Sequence, residues 1–246
     1  MLMGEWFDVL SASAELPADS AAELKRQGFV VVPGPMSCDG IKRLADAYDA
    51  AVTSANAVDT KIGSSSTRVN DFVNRGEEFD AVYVFPPLLD ACCRVIGRPF
   101  KLSSLHSRTV QPHSRSGELH VDVPRDSADW PLLSFILMVD DFRPENGATR
   151  FVPGSHHWAC VPKDTVADLQ ADYHGQVLAC GPAGSLIIFN GSVWHDHSAN
   201  LSDKSRRSLQ GAFVPRCGHA ATDFATPMAP ETRERLSPLA RYLLVV

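Results

Sequence analysis

No stretch of this chain approaches the ~18 consecutive apolar residues that a membrane-spanning helix requires, so no membrane partner is expected. A surplus of positive charge is also missing: 23 Lys and Arg stand against 29 Asp and Glu, for a formal net charge of −6. A nucleic-acid surface needs a basic patch to neutralise phosphates, so no nucleic-acid partner is expected either. The six cysteines, at 38, 92, 93, 160, 180 and 217, contain no C-x-x-C pair. Adjacent Cys92 and Cys93 cannot easily serve two structural disulfides, and the set reads as reduced, mostly buried thiols of a cytoplasmic protein. The opening MLMGEWFDVLSASAELPADS lacks a basic start and a long apolar stretch, which points the same way. Internal repeats and linkers are absent too.

What is present is an ordinary globular composition. The 246 residues are 44% hydrophobic and 21% charged, enough to bury a full core without staples. A single domain over residues 1–246 is expected, with a helical part to about residue 99, a β-barrel core over about 100–216 and a tail from 217. In the first part Ser20 is placed as the cap of a short helix. GFVVVPG reads as a strand, and Ser37 opens a helix with Ile41, Leu44, Ala45, Tyr48 and Val52 on one face. Residues 54–68 are polar and serine-rich and read as a mobile loop, a lid over whatever site the barrel carries. A further helix runs from Pro87 to a C-terminal stop at Gly97.

From about residue 100 the period changes to two. KLSSLHSRTV, GELHVDV, PLLSFILMVDD, ATRFVP, QVLAC, SLIIFN, WHDHSA and RRSLQGAFV are candidate strands, separated by turn signals such as Pro144-Glu145-Asn146-Gly147 and Asn190-Gly191. Eight short strands so spaced predict an antiparallel sandwich or barrel.

In LHVD, His120 and Asp122 sit at i and i+2 of an expected strand and share a face, so both can take adjacent positions on one metal ion. Alone this is weak, because 9 His and 29 acids in 246 positions give about one His-x-acid by chance. The second cluster, SVWHDHSAN, strengthens it. His195 and His197 share a face and either can complete a 2-His-1-carboxylate set, which leaves open positions on the ion. Eleven residues past His195 comes Arg206, with Arg207 on the opposite face of the same strand. A planar guanidinium there can hold the far carboxylate of a metal-chelated dicarboxylate. His156 reads as a backbone hydrogen-bonding residue, His113, His174 and His219 as solvated, Trp194 as a core or pocket-wall residue, and His106 as a candidate pocket residue.

LHVDVP, DDFRPENGATRFVPGSHHW and WHDHSANLSDKSRR together resemble the phytanoyl-CoA dioxygenase family of Fe(II)/2-oxoglutarate oxygenases, over about residues 22–214. The resemblance implies a double-stranded β-helix, a jelly-roll barrel of the cupin-like kind with flanking helices. It implies Fe(II), 2-oxoglutarate as cosubstrate and O2, with hydroxylation or another oxidation of a small metabolite. His120 and Asp122 fall on the proximal ligand positions. His195 falls on the distal one, because W-H-x-x-x-x-N matches Trp194 to Asn200. Arg206 falls on the arginine that holds the cosubstrate, and Arg68 and Gln111 are assigned to the cosubstrate with it. Two positions depart from the family: His197 stands where a small hydroxyl residue is common, and Ile136 where some members carry an aromatic. Asp122 favours oxidation over halogen transfer, since related halogenases lack a carboxylate there. Two other classes fit a barrel of this kind: a metal-dependent isomerase or hydrolase without redox chemistry, and an inactive binding module.

Overall fold

The computed structural model describes residues 5–246. Its strands are β1 (Phe29–Pro33), β2 (Thr60–Ile62), β3 (Ser66–Val69), β4 (Phe100–Val110), β5 (Leu133–Met138), β6 (Thr149–Phe151), β7 (Val177–Ala179), β8 (Ser185–Asn190), β9 (His195–His197) and β10 (Arg206–Pro215). Seven form one sheet in the order β1-β8-β5-β10-β4-β3-β2, and three form a smaller one, β7-β6-β9. Every strand pair is antiparallel.

Why the large sheet sits between two layers is visible in β5. All six of its residues are buried, so neither face meets water. Leu133, Phe135 and Leu137 join a core with Leu44 and Tyr48 of the helix Cys38–Thr53 and Leu88 and Leu89 of the helix Pro86–Ile96. Ile136 and Met138, one residue out of step, pack with Phe151 of the small sheet and with Ile187 and Phe189 of β8. Period-two alternation thus splits one strand between a helix-covered core and a barrel interior. The result is the jelly-roll architecture with flanking helices.

Local chemistry sets the helix ends. The Ser37 hydroxyl accepts from Gly40 N at 3.2 Å and starts its helix, while Gly97 takes the left-handed conformation (φ 67°) that ends the helix Pro86–Ile96. Four expectations are corrected. The helix assigned to a Ser20 cap begins at Ala18 after Pro17, whose carbonyl accepts from Ala21 N at 2.9 Å. The stretch 54–68 is not a plain loop: β2 and β3 form a hairpin that extends the large sheet along β4. It is anchored by buried Val69, whose amide donates to Ser107 Oγ at 3.1 Å. GELHVDV is not a regular strand. Asp122 N and Val123 N both donate to Gly191 O, at 2.8 and 3.2 Å, a convergence that a ladder does not permit, and only His120 makes a bridge. Finally, the thiols are free but not mostly buried: Cys38, Cys160, Cys180 and Cys217 are exposed. Among the described residues no helix is long and apolar enough to cross a membrane.

Candidate metal centre and its cavity

The irregular segment before β5 lies against β9, and His120 and His195 exchange backbone hydrogen bonds of 3.1 and 3.0 Å. This pairing brings their rings to 4.5 Å between centroids. His120 Nδ1 donates to Glu118 O at 2.8 Å and His195 Nδ1 to Val193 O at 2.9 Å. A carbonyl only accepts, so each Nδ1 carries the proton and each Nε2 is left as a lone-pair donor. Asp122 Oδ1 lies 3.9 Å from His120 Nε2 and 3.8 Å from His195 Nε2. Its other oxygen accepts from Ser134 Oγ of β5 at 2.5 Å, which fixes the carboxylate so that Oδ1 faces the rings. The three ligand atoms lie within 4.8 Å of one another. Two imidazole nitrogens and one carboxylate oxygen, on one side of a cavity, form the donor set that suits a non-haem iron with open positions.

Electrostatics around the triad is uneven. Burial pulls the His195 pKa down despite the attraction of Asp122. Burial acts on His120 too, but Asp196 and then Asp122 outweigh it and raise that ring to about 9; a metal binding there would displace its proton. Asp196, between the two histidines of β9, lies 3.3 Å from His120 Nδ1. Its burial is outweighed by His120, His197 and Arg108, which hold its carboxyl well below the usual range. Gly117 makes room for this carboxylate, since a Cβ at that position would collide with it.

At the other end of the cavity stands Arg206. It is fully buried on β10, 4.0 Å above the Phe142 ring, and donates through Nη2 to Gly147 O at 2.9 Å. Among the described residues its Nε and Nη1, both buried, have no partner. Burial lowers its pKa to about 9. Arg207 faces the opposite way and pairs with Asp140 and Asp49, both at 2.7 Å.

The cavity measures about 280 Å³ and is lined by His120, Asp122, His195, Arg206 and Arg68 among others. His106, a candidate from the sequence, lines it, and so do Ile136 and His197. His197 donates through Nδ1 to Ser198 O and accepts from Ser65 Oγ at 3.0 Å; it is not one of the three clustered ligands. Gln111 is not brought to the cavity: its amide donates to Thr67 Oγ1 at 3.1 Å on the strand beside it. His156 bonds to Lys25 O at 3.1 Å and does not line the cavity. Sequence reading did not single out Ser134, Asp196 or Arg108. Arg108 had a signal, since it follows His106 at i+2 on β4, and so had Asp196, which lies between His195 and His197; Ser134 reaches the site only through its long-range contact with Asp122.

Comparison with known proteins matches residues 24–208 to the model of the family described as Phytanoyl-CoA dioxygenase (PhyH). Dioxygenase af480 of Aspergillus fumigatus is 25% identical over 244 residues, covering 93% of this chain and 76% of that protein. Dioxygenase trt7 of Aspergillus terreus is 27% identical over 247 residues, covering 93% and 83%. Among solved structures, HygX from Streptomyces hygroscopicus, with nickel and 2-oxoglutarate bound, has a TM-score of 0.69 at 15% identity, covering 83% of this chain and 89% of that one.

Proposed function

Because the chain belongs to the phytanoyl-CoA dioxygenase family, we propose that it is an Fe(II)- and 2-oxoglutarate-dependent dioxygenase acting on a small metabolite or natural-product intermediate. The observation that carries this reading is the pairing of two incomplete features in one cavity. One is a His-Asp-His cluster with open sides; the other is a buried guanidinium with two unpartnered N–H edges. His120, Asp122 and His195 would hold the iron, and Arg206 the distal carboxylate of the cosubstrate. When bound, iron and 2-oxoglutarate supply oxidation by O2, with succinate and CO2 released.

The chain's own residues do the rest. Glu118 O and Val193 O keep the two imidazoles in the ligating tautomer. Ser134 holds one oxygen of Asp122, so that the other serves the metal. Phe142 and Gly147 hold the Arg206 guanidinium in place from one side and leave its fork free. The tail contributes Ala221 to the cavity wall, which supports the helical part, barrel and tail working as one domain. The small volume favours a compact substrate over a CoA thioester.

Anaerobic addition of Fe(II) and 2-oxoglutarate tests the reading. A visible charge-transfer band, and succinate release that requires both additions and O2, are expected. The absence of both overturns it in favour of a non-redox metal enzyme or a binding module.

A further inference from the structure

The geometry points to Asp196 as a positioning residue of the metal centre: its carboxylate backs the His120 ring with a negative charge and makes that imidazole a stronger metal donor than His195. This rests on the oxygenase reading and adds to it a residue that acts through a ligand. The two histidines are held differently at Nδ1, the nitrogen that does not face Asp122. His195 Nδ1 donates to the Val193 carbonyl at 2.9 Å. His120 Nδ1 donates to Glu118 O at 2.8 Å and, in addition, has Asp196 Oδ2 at 3.3 Å. A carbonyl is a dipole and fixes the tautomer. A carboxylate is a full charge, and behind an imidazole it raises the basicity of the ring toward a metal. Asp196 is buried, where its charge is weakly screened.

The backbone builds a seat for this carboxylate. β9 runs beside the segment that carries His120: Gly117 N donates to His197 O at 3.1 Å, and His120 and His195 exchange their backbone bonds. Three steps of chain from Gly117 to His120 therefore oppose two from His195 to His197, a bulge of the kind that re-aims a side chain. Asp196, between the two histidines, turns onto the bulged segment at Gly117, where any Cβ would collide with its carboxylate. Arg150, the cross-strand partner of Asp196, pins the same segment by donating to Gly117 O at 2.8 Å. In the seat, His197 N donates to Oδ1 at 2.6 Å, which leaves Oδ2 for His120. Arg108, 3.7 Å from Oδ1, supplies the counter-charge that a buried carboxylate needs. An asparagine would satisfy His197 N equally well, so what the charge adds is its action on His120.

The test uses the full-length protein under anaerobic conditions. Asp196→Asn keeps the size and the acceptor for His197 N and removes the charge. Fe(II) titration is expected to show affinity about tenfold weaker. At saturating Fe(II) and 2-oxoglutarate the charge-transfer band is expected at shorter wavelength, because a weaker donor set lowers the filled metal levels from which the electron is promoted. With cobalt(II) alone and no cosubstrate, the visible bands are expected at longer wavelength, because the ligand field is weaker. Gly117→Ala keeps the charge but displaces the carboxylate, and is expected to move all three readouts the same way. In an Asp196→Ala background, with the space vacated, it is expected to move none. Should Asp196→Asn not fold, Gly117→Ala carries the test with Asp196 in place. Unmoved bands in either folded single variant overturn the proposal, whatever happens to affinity, by leaving Asp196 a structural residue. A shift seen with 2-oxoglutarate but not with cobalt(II) alone also overturns it, by giving the carboxylate to the cosubstrate. The wild-type band is recorded first. Its absence fails the oxygenase reading, whereas a normal band that the variants leave unmoved fails only the role of Asp196.

Discussion

On its helix-covered face the seven-stranded sheet presents Leu133, Phe135 and Leu137 of β5 with Leu209 and Phe213 of β10, all fully buried in one apolar cluster. The cavity face of the same sheet presents Arg68, His106, Arg108, Arg206 and Gln210, interrupted by Ile136 and Phe189. The two arginines that open β10 differ in both burial and chemistry: Arg206 is fully buried, whereas Arg207 is partly exposed. Where the sheet meets the helices, Arg207 is answered by two carboxylates. Where it meets the cavity, Arg206 keeps two buried N–H groups without a partner. A buried charge left unpaired costs several kcal/mol, so the cavity face is organised around something that binds it, and the helix face around stability. Substitutions on the two faces are therefore expected to separate cleanly in what they damage.

The largest effect is expected on the cavity side, at Asp122. Asp122→Ala removes the one anionic ligand of the cluster, and turnover is expected to fall below detection while bound iron, measured after gel filtration, drops with it. Retained iron and activity would mean that the His-Asp-His cluster is not the metal centre. Arg206→Ala comes next. Each hydrogen bond to a charged partner contributes about 1.5–3 kcal/mol at most, and ~1.4 kcal/mol is a factor of ten. The apparent 2-oxoglutarate constant is expected to rise at least tenfold, with iron binding little changed and Arg206→Lys restoring only part. An unchanged constant would detach Arg206 from the cosubstrate.

A smaller effect is expected one contact further out. Ser134→Ala frees the second oxygen of Asp122 from its 2.5 Å hydrogen bond. Groups that orient a metal ligand in this way typically matter by about 10-fold in metal affinity. Fe(II) titration of the variant is expected to show a loss of about that size, with the protein still folded by circular dichroism. Wild-type affinity would show that the carboxylate is positioned by its backbone alone.

How much of this was legible in the chain follows from the range over which each contact acts. His120 and Asp122 were readable from a short His-x-Asp spacing, which left His195 and His197 both open as the third ligand; the family resemblance implied His195, and the structure clusters it with the other two. Alternation put Arg206 and Arg207 on opposite faces of β10, and the resemblance implied that Arg206 is the one facing the site. The same rule explains Gln111. It follows Val110, a same-face neighbour of His106 and Arg108, so its side chain emerges on the other side and meets Thr67. The hairpin at 60–69 was hidden by composition, because an edge strand needs few apolar residues and Val69 supplies its buried anchor. GELHVDV alternates like a strand, but its amides are taken up by Leu169 O and Gly191 O from separate loops. Ser134 could not be read at all, because its partner Asp122 lies in another segment; Asp196 was marked only by its two histidine neighbours, and its contact with His120 is long-range.

Arg207 gives the smallest expected effect on activity and the sharpest test of the two-face contrast. It is one residue from Arg206, carries the same charge and sits on the same strand, so only the face each takes separates the two. Its Nη2 donates to Asp140 and its Nη1 to Asp49, each at 2.7 Å. Hydrogen bonding to Asp140 is the main reason its pKa is raised. The group is partly solvated, with 24% of its side chain exposed, so the pairs are discounted for screening, and Arg207→Ala is expected to cost about 1 kcal/mol. For a chain of this size that lowers Tm by about 2–4 °C. The 2-oxoglutarate constant is expected to stay within twofold of wild type, measured on the same preparation as Arg206→Ala. If instead Arg207→Ala loses the cosubstrate and Arg206→Ala keeps it, the functional face of β10 is the one against the helices.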